Sequence, residues 1–144
     1  MNKKLCICIS GGLDSFTAYH WAKQDYCPKY GIDFENEVVF LMVDDMDFPY
    51  SNKEYQVITN LYLHRDSLDI KRFKRVKLVG YGNLAKTDSH VVLGRNAVIA
   101  SIASAIALEI WISGTKYENN PEMYDKNDNF WALMTLALSQ ACGY

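Results

Sequence analysis

The residues that most restrict how this chain folds are Ser10-Gly11-Gly12-Leu13-Asp14-Ser15, which directly follow the apolar run Lys4-Leu5-Cys6-Ile7-Cys8-Ile9. A short, nearly continuous apolar run is the mark of a strand buried on both faces, as in a parallel sheet. Beyond the glycines, Phe16, Tyr19, His20 and Ala22 recur at helical spacing, so the stretch predicts strand, glycine turn, helix. Such a turn points backbone N–H groups that lack intrahelical partners in one direction, beside the positive end of the helix dipole. That combination forms a cradle for phosphate or pyrophosphate. Gly11 and Gly12 permit positive φ and keep Cβ atoms away from an anion. The hydroxyls of Ser10 and Ser15 can donate to phosphate oxygens, and Asp14 can orient the loop or help hold a magnesium ion.

The remaining sequence bounds the class. With 144 residues, 49% hydrophobic and 22% charged, the chain reads as one domain with a core that needs no disulfides. A net charge of −2 supplies no general attraction for nucleic acid or anionic membranes. No apolar run is long enough to cross a bilayer, and Met1-Asn2-Lys3-Lys4 leads into a stretch too short for a signal peptide. The expected location is the cytoplasm. Cys6, Cys8, Cys27 and Cys142 form no C-x-x-C pair, so no zinc site is expected. Cys6 and Cys8 should share one face of the first strand as small buried side chains.

The first helix is expected from about Ser15 to Lys23, broken by Cys27-Pro28-Lys29-Tyr30-Gly31, with Asp33 to Glu37 a polar connector. His20 reads as a packing residue of that helix. Val38 to Val43 predicts a second parallel strand, which ends in Asp44-Asp45-Met46-Asp47. Ligands bind at the carboxyl ends of strands in open α/β sheets, so Asp44 is either a nucleotide or metal contact or part of an acidic cap. A helix from about Asn52 to Leu63 follows, then a basic stretch, Lys71 to Lys77, whose end reads as a third strand with its cations solvated. Gly80 to Ala85 reads as a turn.

Gly94-Arg95-Asn96 opens a helix expected to run from Asn96 to Leu108 and to be buried on more than one side. An arginine at a helix N-terminus adds to the dipole and calls for an anion, either a phosphate or a loop carboxylate. Ile110 to Ser113 predicts the fourth strand, with Gly114, Thr115 and Lys116 at its carboxyl end. The last helix is expected from Phe130 to about Gln140, capped by Asn127 or Asp128.

S-G-G-L-D-S resembles the PP-loop of the N-type ATP pyrophosphatases, enzymes that adenylate a carbonyl or carboxylate oxygen and release pyrophosphate. Taken with G-R-N at a helix start and G-T-K…Y-D-K-N-D-N-F after the fourth strand, the chain is similar to the 7-cyano-7-deazaguanine synthases. That family converts 7-carboxy-7-deazaguanine to the nitrile with ATP and ammonia. The resemblance implies ATP and Mg2+, and an adenine nucleotide alpha hydrolase-like fold. It makes Ser10, Gly11, Gly12, Leu13, Asp14 and Ser15 pyrophosphate ligands. It puts Arg95 and Asn96 at the nucleotide or substrate, and Tyr124, Asp125 and Asp128 near the substrate pocket. Here V-D-D-M-D-F stands where the family has D-Y-G-Q, Leu93 replaces a proline, and the family's four-cysteine zinc site has no counterpart.

The fold expected is therefore a doubly wound, mostly parallel α/β sheet of four or five strands with helices on both faces. The chemistry expected is adenylyl transfer to a small-molecule carboxylate, then attack by ammonia or another amine. Asp14, Arg95 and Lys116 serve as catalytic groups, and Asp44 and Gly114 lie at the nucleotide. Three readings stay open: a compact synthase-like enzyme that completes its site as a homo-oligomer, another amidating or thiolating PP-loop enzyme, and a nucleotide-binding module without catalysis.

Overall fold

The computed structural model describes residues 3–84, 95–113 and 128–143. Strand β1 (Lys3–Cys8) leads to helix α1 (Leu13–Trp21), and α2 (Cys27–Tyr30) and α3 (Phe34–Glu37) precede strand β2 (Val38–Asp45). Helix α4 (Ser51–Ile58), strand β3 (Phe73–Leu78), helix α5 (Arg95–Ser104), strand β4 (Ala107–Trp111) and helix α6 (Asp128–Cys142) follow. The four strands are all parallel, in the order β3-β2-β1-β4. Their carboxyl ends therefore share one edge, and the order reverses between β1 and β4. Among the described residues no helix is long and apolar enough to cross a membrane.

The central position of β2 explains its composition. Val38 to Met42 are all buried, because helices cover both faces of the sheet. Alternation then divides its side chains between two cores. Val38, Phe40 and Met42 join Leu5, Ile7, Tyr19, Ile58 and Tyr62 under α1 and α4. Val39 and Leu41 join Cys6 and Ala103 under α5. Cys6 and Cys8 do share that second face, and all described cysteines are free thiols. A hydrogen bond that the Cys8 thiol donates to Cys6, with burial adding to it, pushes the Cys8 thiol's pKa far up and keeps it protonated.

Several boundaries differ from expectation. Helical structure does not stop before Pro28: α1 passes through a π-helical stretch, Ala22–Tyr26, into α2, where Pro28 sits in the first turn. Proline is tolerated there because no N–H is required of it, and the helix ends instead at Gly31, whose φ is +64°. Asp33 to Glu37 is a capped helical turn rather than a connector, with the Asp33 carboxylate accepting from the N–H groups of Glu35 and Asn36. Helix α5 stops at Ser104, and Ala107 and Leu108 belong to β4 rather than to the helix. Strand β2 extends through Asp44 and Asp45, so both acids are held by the sheet rather than by a loop.

The basic stretch is an edge strand, as expected, but two of its cations are not solvated. Arg72 bonds to Glu35 and to the carbonyls of Phe34 and Val38, and lies over the Phe34 ring. Arg75 turns inward onto Tyr55, with its guanidinium 3.8 Å from the ring centroid. His20 is a packing residue: it meets the rings of Phe16 and Tyr19 edge-on and comes within 3.3 Å of the Asp66 carboxylate.

Candidate functional site

Helix α1 starts at the carboxyl end of β1, and Gly12 is its N-cap without any side-chain hydrogen bond to the helix. The first intrahelical bond is from the Phe16 N–H to the Gly12 carbonyl, so the amides of Leu13 and Asp14 precede the helical ladder. Leu13 is 77% exposed and Asp14 is also exposed, leaving the mouth of the turn open to solvent. An uncapped, open helix start beside a strand end is chemically fit for an anion.

The glycines serve this geometry differently from expectation. Gly12 has φ −84°, and the positive-φ glycines among the described residues are Gly31, Gly80 and Gly143. Close approach is what requires Gly11: a Cβ there would sit 3.3 Å from Cγ1 of Val57 on α4. Ser15 is also not an open donor. Its buried hydroxyl accepts from the Ser10 N–H at 3.0 Å and lies near the Ser10 carbonyl, the Ser10 hydroxyl and the Tyr62 hydroxyl. Ser15 therefore holds the loop in shape, and the Ser10 hydroxyl accepts from the Gly12 N–H at 3.2 Å.

The two strand-end acids have separate partners. Asp44 is closed: one carboxylate oxygen accepts from Ser51 and the other from Arg75. Asp45, also buried, accepts from Arg95 Nε at 2.8 Å, while its Oδ1 has no hydrogen-bond partner among the described residues. Arg95 thus has a carboxylate as its anion, and this pair ties the start of α5 to the end of β2. Glu54 on α4 joins them, with its side chain packed near the Gly11 position. Burial raises its carboxyl pKa, Asp44 and Asp45 add to the rise, and Arg95 and the Gly11 amide oppose it. Tyr50 lies in the same field, its hydroxyl pKa raised mainly by burial and lowered by Arg95.

The carboxyl edge therefore gathers the 10–15 turn, Asp45, Tyr50, Glu54 and Arg95. Sequence reasoning missed Glu54 and Tyr50, because nothing local distinguishes a glutamate or tyrosine near the start of a helix. Asn96 lies beside Arg95 in the first turn of α5. Asp128 begins α6 and is exposed. Gly114, Lys116, Tyr124 and Asp125 fall outside the described residues.

A cavity of about 860 Å³ opens beside Leu13 and Asp14 and continues along β4 to Ser113. Leu13 and Asp14, which follow β1, and Ile112 and Ser113, which follow β4, all line it, and the strand order reverses between those two strands, the place where open α/β sheets take their ligands. Among the described residues no group of three or more His, Cys, Asp or Glu side chains comes together to bind a metal ion. A phosphate-bridging magnesium ion needs only one or two carboxylates from the protein, a role the exposed Asp14 suits. Comparisons with protein-family models, with curated proteins and with solved structures found no match.

Proposed function

We propose that this chain is an ATP-binding domain of the PP-loop kind that adenylates a carboxylate or carbonyl oxygen and releases pyrophosphate. The observation that carries this reading is the uncapped, solvent-open start of α1, on the same sheet edge as Arg95. The amides of Leu13 and Asp14 and the helix dipole bind the β- and γ-phosphates. Gly11 and Gly12 keep Cβ atoms from the loop, and Ser10 and Ser15 hold its curvature. Magnesium, bound through Asp14 and the phosphates, would supply charge neutralisation on the leaving group.

In the adenylation step the acceptor oxygen forms a bond to the α-phosphorus. The bond from that phosphorus to the bridging oxygen breaks, and pyrophosphate leaves with the electron pair. The loop amides and Arg95 offset the negative charge that builds up. An amine then attacks the activated carbon and displaces AMP. With ammonia as the amine and 7-carboxy-7-deazaguanine as the acceptor, this is synthase-like chemistry on an adenine nucleotide alpha hydrolase-like fold.

The test is pyrophosphate release from ATP and Mg2+ with 7-carboxy-7-deazaguanine and ammonium, alongside calorimetric titration of ATP. Acceptor-dependent release is the expected result. ATP binding without release would make the chain a nucleotide-binding module, and absence of ATP binding would overturn the reading of the loop.

A further inference from the structure

The backbone amides of the 10–15 turn can be accounted for one at a time. The Ser10 N–H donates to the Ser15 hydroxyl and the Gly12 N–H to the Ser10 hydroxyl, so both are answered from within the turn. Those of Leu13 and Asp14 precede the helical ladder, at exposed positions. The Gly11 N–H is answered from a different element. It holds the carboxyl group of Glu54, whose Cγ lies 3.7 Å from the place a Gly11 Cβ would take. A carboxylate oxygen on a loop amide stands where a phosphate oxygen would stand, because both are anions accepting from the same N–H.

The charges around that carboxyl group do not balance. On β2, Asp44 is paired with Arg75, and Asp45 with Arg95 at the start of α5. Each aspartate thus has its arginine, whereas among the described residues no cation forms an ion pair with Glu54. Lys53, its neighbour on α4, is exposed, and Tyr50 brings only an uncharged hydroxyl into the same field. Asp45 Oδ1, buried and without a hydrogen-bond partner among the described residues, adds an unanswered acceptor on the same edge. Glu54 is itself partly buried, and burial already weighs against its charged form. A triphosphate at the turn brings further negative charge against it and drives the same change further.

We propose that Glu54 occupies the phosphate position of the empty turn and takes up one proton when a nucleotide displaces it. This rests on the proposed role of the turn as a phosphate loop. The step is a protonation: the carboxylate and a proton from solvent give the carboxylic acid, and no other covalent bond forms or breaks. The Gly11 N–H is then free to donate to a phosphate oxygen, and the new O–H of Glu54 becomes a second donor to the same group. An acceptor that blocks the turn is thereby converted into a donor that serves it. Because proton and nucleotide bind together, affinity rises as pH falls, by up to about tenfold per pH unit while Glu54 titrates. Above that range the carboxylate competes with phosphate, and below it the competition is gone. Glutamine, neutral and of the same shape, fixes the protonated form.

The experiment titrates the full chain with ATP and Mg2+ by calorimetry from about pH 5 to about pH 8.5, at each pH in two buffers of different ionisation enthalpy. Over part of that range the wild type is expected to take up as much as one proton per ATP beyond what Glu54→Gln takes up. Toward the alkaline end Glu54→Gln should bind ATP about fivefold more tightly than the wild type, and toward the acid end equally tightly. Carbon-13 NMR of glutamate-labelled protein follows the group itself. The Glu54 carboxyl signal, identified by its absence in Glu54→Gln, should move toward the carboxylic acid position when ATP is added at the pH of greatest uptake. Equal proton uptake in the two proteins at every pH, or a Glu54 signal that ATP does not move, would overturn the proposal and leave the phosphate loop standing. Absence of ATP binding to the wild type at every pH would overturn the loop and the proposal together.

Discussion

Arg75 Nε donates to Asp44 Oδ2 at 2.8 Å across the β2–β3 pair, and the guanidinium carbon lies 3.8 Å from the Tyr55 ring centroid. Arg75 stands opposite Met42 in the parallel register, so Asp44 is its diagonal neighbour on the face that α4 covers. The aspartate is almost fully buried and Ser51 donates to its other oxygen, so both oxygens are engaged within the fold and this acid stabilises the sheet end. Removing one partner strands the other charge in a dry site, which costs about 3–5 kcal/mol. Asp44→Ala should lose about that much in urea unfolding, whereas Asp14→Ala, at an exposed position, should unfold as the wild type does.

Asp14→Ala should bind ATP in the presence of Mg2+ about tenfold or more less tightly, since a contact to a charged group contributes about 1.5–3 kcal/mol. Calorimetric titration checks this, and a wild-type affinity would remove Asp14 from the site.

Arg95→Ala has two expected effects, because the guanidinium stands at the carboxyl edge proposed to take the nucleotide and also pairs with the buried Asp45. ATP affinity should fall by a factor of about ten or more, and stability by about 1–3 kcal/mol from the uncompensated carboxylate. The double variant Arg95→Ala/Asp45→Asn should recover stability while ATP affinity stays low. Recovery of both would mean that Arg95 acts only through Asp45.

Glu54 is held above its ordinary carboxyl pKa, chiefly by burial. A raised folded-state pKa means that the contribution of this group is fully present below the unfolded value of 4.5 and is lost as pH rises through the folded value. Glu54→Gln should therefore have a flatter profile of melting temperature against pH across that window, with a midpoint at pH 7 no lower than the wild type's. Removing a carboxylate that draws on the Gly11 amide should also tighten ATP binding by a few-fold, on the order of 1 kcal/mol. A weaker affinity would instead give the carboxylate a favourable part in binding.

Gly11→Ala places a methyl group 3.3 Å from Val57 Cγ1, tighter than ordinary contact, so α4 or the loop must shift by a few tenths of an ångström. The expected cost is about 1 kcal/mol. Val57→Ala should offset part of it in the double variant, measured by urea unfolding.

The local order of elements was legible in the sequence. The run Leu5 to Ile9 and the glycines after it can only be a buried strand turning into a helix, because both signals lie within a few residues of each other. The Val38 run announced a second parallel strand for the same reason, and its place inside the sheet came from the pairing. Ala107 and Leu108 continue the helical pattern because small and apolar residues satisfy either period, and only pairing with β1 decides between them. Pro28 looks like a stop in the sequence, which does not reveal that a new helical turn begins one residue earlier.

The sequence by itself determined a parallel α/β sheet with an open helix start after its first strand, since strand period, turn chemistry and helix period are local properties. Tertiary structure alone decided which acid meets which arginine, that Ser15 serves the loop, and that Glu54 belongs to the carboxyl edge. The ion pairs depend on register and on how α5 meets the strand ends, contacts between residues 31 and 50 positions apart that no short pattern encodes.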